Sequence, residues 1–164
     1  MAKRNNEEFN KLVEEYIEHP KVLEMKECKH HGIERFDHCK RVAYYTYHVT
    51  KGLHLNYQSA TKAAFLHDFF TDEVKNKNSV SRLRKHPEIA AENARKYFGL
   101  TEMEEDIITR HMFPITFTPP KYLEGWIVDA IDDIASIYER GFSLKHQFAP
   151  IVNLFVIYIL TMIH

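Results

Sequence analysis

The stretch Ala63-Ala64-Phe65-Leu66-His67-Asp68-Phe69-Phe70 sets an imidazole and a carboxylate side by side inside an apolar run. Taking an unpaired carboxylate out of water costs several kcal/mol, so such a group is paired, hydrogen-bonded or bound to a metal. In one reading, His67 and Asp68 are satisfied polar groups at the wet end of a core helix, as most buried polar groups are. In the other they belong to a metal site whose remaining donors come from elsewhere in the chain. What surrounds the pair decides between them.

Helical periodicity runs on both sides. Residues 5–18 place Phe9, Leu12, Val13, Tyr16 and Ile17 at helical spacing, and Pro20 stops that run. A short helical stretch follows over residues 21–29, and residues 36–55 read as a long helix with Val42, Tyr45, Val49 and Leu53 on one stripe. Ser59 suits the N-cap of the helix that ends in the opening stretch. Residues 71–81 are polar and lack a period, which predicts a loop. Pro87 suits the first turn of a helix running to Phe98, and Gly99 its end. Thr101-Glu102-Met103-Glu104 has the form of a capping box for a helix that reaches Met112. Residues 114–120, with Pro114, Pro119 and Pro120, form an extended loop; Tyr122 to Arg140 is amphipathic, and Gly141 ends it. No run alternates with period two. The expectation is an all-α helical bundle, a single domain over 1–164.

A chain of 164 residues can bury one sizeable core. With 45% hydrophobic and 27% charged residues it reads as globular rather than disordered. A net charge of -1 supplies no basic field, so nucleic acid is not an expected partner. Cys28 and Cys39 make no secreted disulfide framework and the N-terminus has no signal-peptide core, so a cytoplasmic location is expected. Cys28, His30, His31, His38 and Cys39 lack the paired spacing of a zinc knuckle. One segment stands apart. A C-terminal helix over 145–163 is expected, and Phe148 to Ile163 is apolar almost throughout, broken mainly by Asn153, Tyr158 and Thr161. It falls short of the roughly 18–20 residues of a membrane span. A helix apolar all round is usually buried in a core or an interface, so packing in this chain or in a homodimer is expected. Peripheral membrane contact through 148–163 is the remaining reading.

The chemistry-bearing residues fall on different helices, most of them near a helix end. His38 lies near the start of the long helix with Arg41 three residues on, on the same face. His67 and Asp68 end the next helix, His86 precedes Pro87, His111 falls in a last turn, and Asp129, Asp132 and Asp133 share the following helix. A bundle that gathers these ends builds a pocket of four imidazoles and two or more carboxylates. Such donors suit Zn, Fe, Ni, Co or Mn. Six ligands exceed the need of one ion, so two ions sharing a carboxylate are expected; two metals about 3.5–4 Å apart activate water and stabilise a phosphoryl group. Arg41, Arg82, Arg84 and Lys85 could then hold phosphate oxygens. With side chains about 100° apart, Ile127, Ile131, Ile134 and Tyr138 gather on one side of their helix, which is expected to face the core. Asp132 lies at that stripe's edge and can reach a pocket. Asp129 and Asp133 point towards water, with Asp129 the better placed to touch substrate.

These residues resemble the HD-domain metal-dependent phosphohydrolase superfamily. His38 with Arg41-Val42, then Leu66-His67-Asp68, then an Asp in a late helix match its H…HD…D pattern over residues 30–140. His86-Pro87-Glu88-Ile89-Ala90 and His111 are similar to the two additional histidines of its two-metal branches. His31-Gly32, Asn93-Ala94, His111-Met112-Phe113-Pro114, Pro119-Pro120 and Trp126-Ile127-Val128 are similar to small bacterial HD proteins. Two features depart from the best-known subgroup: Phe69-Phe70 stands where Ile-Gly is common, and Asp133 where Lys or Arg is common. The resemblance implies a helical bundle, divalent metal and hydrolysis of a phosphate ester, often a nucleotide. By position, His38, His67, Asp68 and Asp132 would hold a first ion, with Asp68 bridging to a second held by His86 and His111. A metal-activated water would attack, Asp68 and Arg41 would serve catalysis, and Arg41, Arg82, Arg84, Lys85 and Asp129 would meet substrate. The expected function is therefore a nucleotidase or phosphodiesterase acting on a small phosphorylated metabolite, a nucleotide first among them. The alternative is a non-catalytic module that senses a nucleotide or a metal.

Overall fold

The structure, a computed structural model, describes residues 2–27, 29–30, 33–70 and 79–143. Cys28, His31, the loop residues 71–78, the side chain of Arg82 and the C-terminal helix expected over 145–163 lie outside the described residues. The elements are α1 (Ala2–Ile17), α2 (Pro20–Leu23), a 3-10 turn (Glu24–Glu27), β1 (Lys29–His30), β2 (Ile33–Glu34), α3 (Arg35–Gly52), α4 (Tyr57–Leu66), α5 (Ser79–Phe98), α6 (Glu102–Arg110) and α7 (Leu123–Ser143). The fold is all-α. The two strands pair antiparallel, Lys29 opposite Glu34, as a short clasp ahead of α3.

The opening stretch forms the centre. Ala60, Thr61, Ala63, Ala64, Phe65 and Leu66 of α4 are all buried, with α3, α6, α7 and α1 packed around them. Its alanines let neighbouring backbones come close, and Phe65 fills the remaining space, edge-on to Phe36 with ring centroids 5.9 Å apart. On α1, Phe9, Val13 and Tyr16 are buried at helical spacing, and Tyr16 meets Phe98 of α5 at 5.1 Å. Pro20 starts α2 rather than merely stopping α1: His19 caps that turn, its Nδ1 accepting from Lys21 N at 3.3 Å.

Several expected boundaries move for local reasons. Asn56, not Ser59, caps α4, its Oδ1 accepting from Ser59 N at 3.2 Å. Pro87 lies inside α5, which begins at Ser79. Proline lacks the N–H that would close one helical bond, and the burial of His86, Ala90, Ala91 and Ala94 around it holds the helix through the gap. Gly99, at φ 63, ends α5 as expected. The capping box of α6 is present: Thr101 Oγ1 accepts from Glu104 N, and the Glu104 carboxylate accepts from Thr101 N at 2.9 Å. α6 ends at Arg110, short of Met112, and within the loop expected to be extended over 114–120 residues 114–116 are turns. Gly141 does not end α7, which continues to Ser143. The start of α7 rests on Pro120 so closely that a Cβ at Gly125 would stand 2.8 Å from Pro120 Cβ.

Two helix faces differ from expectation. On α3 the buried set is Arg35, Phe36, His38, Cys39, Val42, Ala43, Thr46, Tyr47 and Thr50, whereas Tyr45 and Leu53 are 52% and 43% exposed. On α7 the buried positions are Glu124, Gly125, Val128, Asp129, Asp132, Ala135 and Glu139; Tyr138 is 50% exposed, and Ile127, Ile131 and Ile134 are partly buried. Apolar periodicity assumes that the inner face is the greasy one. On α7 the inner face is acidic, which places it beside the chemistry-bearing residues of the other helices.

Candidate metal centre

Two of the four histidines are set by the same local device. His67 and His111 stand at the C-caps of α4 and α6, where helix carbonyls lack partners. His67 Nδ1 lies 2.7 Å from Ala64 O, and His111 Nδ1 lies 2.7 Å from Ile108 O. A carbonyl can only accept, so each Nδ1 carries hydrogen and donates it. In each neutral ring Nε2 is then left with its lone pair aimed inward.

His38 comes from the second turn of α3 and His86 from the middle of α5. The six expected donors do converge: His38, His67 and Asp68 form one group, His67, His111 and Asp132 a second, and Asp68, His86 and His111 a third, with ligand atoms within 4.8 Å of one another in each. His38 Nε2 is 2.8 Å from Asp132 Oδ1, and His67 Nε2 is 3.5 Å from the same oxygen. Asp68 Oδ1 lies 3.3 Å from His86 Nε2 and 3.8 Å from His111 Nε2, while the two imidazole Nε2 atoms are 3.0 Å apart.

The electrostatics of the cluster are those of a cation site. Burial alone would keep His38 neutral, yet hydrogen bonds to Asp132 and Glu139 outweigh it and push its pKa up to about 10. Burial opposes the charge on Asp132 too, but His67 and His38 hold its carboxyl well below the usual range. His86 and then His67 likewise overcome burial and hold Asp68 down. His111 goes the other way: burial, reinforced by His67 and His86, lowers it to about 3, so it is neutral. Protons on His38 thus stand where the carboxylates call for positive charge.

A divalent ion fits these residues. His67 Nε2 and Asp68 Oδ1 are buried without a hydrogen bond of good geometry among the described residues, and both face the other donors. Neutral imidazole and ionised carboxylate are the donor forms that borderline transition metals take, and an ion would have to displace the protons that Asp132 favours on both His38 and His67 to bind.

One functional residue escaped the sequence reading. Glu139 is 5% exposed and its Oε2 accepts from His38 Nδ1 at 2.9 Å. Its other oxygen takes the Arg41 guanidinium. A ligand histidine usually donates its second N–H to such a group, which fixes the ring and raises its basicity. Glu139 lies two turns beyond Asp132 on the buried face of α7, so the question of which carboxylates share that face would have found it. Arg35 and Asn93 support the site from behind: Arg35 Nη1 donates to Phe70 O at 2.7 Å, and Asn93 Nδ2 donates to Phe69 O at 2.9 Å. Glu139→Ala is expected to weaken metal binding by about 10–100-fold, with Glu139→Gln in between because its amide oxygen can still accept from Nδ1. Metal titration of both variants checks this, and equal affinity in wild type and Glu139→Ala would show that Glu139 does not orient His38.

The expected substrate contacts are less gathered. Arg41 is one-third exposed and paired with Glu139. Arg84 and Lys85 are exposed, and the Arg84 guanidinium lies 5.0 Å from the centre of the Phe117 ring. Asp129 is not solvated: it is 8% exposed, and burial first, then Asp133 and Asp132, push it up to about 7. Asp133 is exposed, as expected.

The family model of the HD domain matches residues 35–137, well over half of the chain. The chain belongs to the HD domain family. No curated protein and no solved structure matches it. The matched span of this HD domain runs from the start of α3 into α7 and contains all six donors. HD domains are generally metal-dependent hydrolases, and the donor groups here could hold a metal. Among the described residues, no helix is long and apolar enough to cross a membrane.

Proposed function

We propose that this HD domain is a phosphohydrolase that uses two divalent transition ions, Fe, Mn, Ni, Co or Zn, to hydrolyse a phosphate ester of a small metabolite, with a nucleotide as the leading substrate. The observation that carries the reading is the sharing of donors. Asp68 belongs both to the group with His38 and His67 and to the group with His86 and His111. A carboxylate common to two donor groups is what a pair of adjacent ions requires. His38, His67, Asp68 and Asp132 would hold one ion, and Asp68, His86 and His111 the other. The chemistry such ions supply is activation of water near neutral pH and neutralisation of charge on the phosphoryl group.

The chain's own residues do the rest. Asp68 and Asp132 hold the positive charge in place, and Glu139 and the carbonyls of Ala64 and Ile108 fix the rings. Asp129, whose carboxyl is pushed up to about 7 by burial and by Asp133 and Asp132, can in its protonated form donate a hydrogen bond to an ester oxygen. Arg41, Arg84 and Lys85 offer cationic groups for phosphate, Arg in the bidentate manner that suits it. The proposed setting is the cytoplasm.

Protein purified without chelator should contain close to two transition ions per chain. Chelation should abolish hydrolysis across a panel of nucleotides and simpler phosphate esters, and added Mn²⁺, Ni²⁺ or Co²⁺ should restore it. Saturation at one ion would defeat the two-ion reading. Tight nucleotide binding with no turnover under any metal would make the module a sensor.

A further inference from the structure

Phe117 is 74% exposed, the most exposed of the large apolar side chains among the described residues, and its φ is 58. Both features are unfavourable for a phenylalanine. An exposed ring forgoes the gain of burial. A left-handed backbone crowds the Cβ, so glycine or asparagine would serve a bare turn better. Backbone outliers of this kind gather at ligand sites, where the surrounding structure holds them. Phe117 is held in that way. Its N donates to Pro114 O at 3.0 Å, and Thr116 N donates to Met112 O at 3.1 Å. The Arg84 guanidinium lies over the ring, 5.0 Å from its centre. At the start of the same turns, Phe113 stands edge-on to Trp126 of α7, with ring centroids 5.3 Å apart.

Three contacts along α5 locate the ring. Arg95 pairs with Glu105 at 2.6 Å, His86 Nε2 lies 3.0 Å from His111 Nε2, and Arg84 meets Phe117. Position falls along α5 as it rises along α6 and the turns after it, so the two run antiparallel. Phe117 therefore stands one step past the facing histidines. The Arg84 and His86 Cα atoms are about 5–6 Å apart on their helix. Trp126, at the other end of these turns, lies one helical turn before Asp129. The segment 112–118 thus crosses from α7 to α5 at the end of the bundle that carries the donors.

We propose that the open face of the Phe117 ring is the subsite for the nucleobase of the substrate, with Arg84 backing the ring on its other face. The inference rests on the phosphohydrolase reading for the phosphate end and adds what selects the rest of the molecule. Every base has a flat π face, and unstacked bases pack on aromatic rings and on guanidinium planes. A guanidinium over one face of a ring leaves the opposite face to a ligand.

The test compares the common ribonucleoside monophosphates with the matching ribose phosphate, which has the same phosphoryl group and sugar and lacks the base. The metal-loaded full chain is expected to prefer at least one of the nucleotides. Phe117→Ala should cut that preference by about 5–150-fold, the range for one base stacked on one aromatic ring, through KM rather than kcat. Phe117→Leu keeps the apolar bulk and the backbone demand but has no π face, and should lose the preference too; Phe117→Trp should keep it. The side chain is exposed, so none of the three should alter the helical circular dichroism. A wild type that treats nucleotide and ribose phosphate alike overturns the inference, as does a preference that survives in Phe117→Ala or Phe117→Leu. An equal loss on both compounds also overturns it, because Phe117 is then a prop for its loop. Calorimetric titration with the same compounds separates this subsite from the reading it rests on. With no turnover under any metal, tighter binding of nucleotide that Phe117→Ala removes supports the base subsite and defeats the hydrolase. Equal binding of the two compounds overturns the subsite whether or not they are hydrolysed.

Discussion

Asp68→Ala is expected to empty the proposed two-ion site and to lower hydrolysis by more than about 10²–10³-fold, the usual cost of losing one group that stabilises transition-state charge. Asp68 is the donor shared between the two halves of the cluster, 3.3 Å from His86 and grouped with His38 and His67 on its other side. Its carboxyl is ionised because neighbouring imidazoles, His86 and His67 foremost, overcome the cost of burial. Without it, the charge that balances a second cation is gone, and His86 and His111 are left facing one another across 3.0 Å. Asp68→Asn separates charge from shape, since it keeps the volume and one acceptor oxygen. Both variants should keep the helical circular dichroism of the wild type while losing bound metal by elemental analysis. Wild-type metal content in Asp68→Ala would remove Asp68 from the ligand set.

The second large effect distinguishes three carboxylates on one helix. Asp132→Ala should lower metal occupancy and abolish hydrolysis, because its Oδ1 is the common neighbour of His38 Nε2 and His67 Nε2. Asp133→Ala should change neither, since Asp133 is exposed. Asp129→Ala should spare the metal but reduce turnover, because Asp129 is buried on the same inner face without belonging to any of the donor groups. Metal content and kcat measured side by side on the three variants decide the matter. Loss of metal in Asp129→Ala with retention in Asp132→Ala would invert the assignment.

Much of this was legible locally. The helices were marked by apolar spacing, and the α6 capping box follows from the side chains of Thr101 and Glu104 reaching each other's backbone, which involves only neighbours in the chain. The His67-Asp68 dipeptide in an apolar run pointed to a site because a buried carboxylate needs a partner. The tautomers of His67 and His111 are also local, each decided by a carbonyl three residues earlier.

What the sequence alone determined, then, is the set of helices and the candidate donor residues they carry, since these depend on backbone hydrogen bonds and on the chemistry of single side chains. Only the tertiary structure decided which face of α7 turns inward. Ile127, Ile131, Ile134 and Tyr138 look like a core stripe, yet of these only Ile131 packs against the core, and the helix turns Asp129, Asp132 and Glu139 to the bundle. The hydrophobic rule fails there because opposite charges on α3 and at the end of α4 offset the desolvation of two of these carboxylates, His67 and His38 for Asp132, and His38 and Arg41 for Glu139, while Asp129 meets its burial with a raised pKa. That compensation comes from residues distant in sequence, so periodicity within α7 could not reveal it.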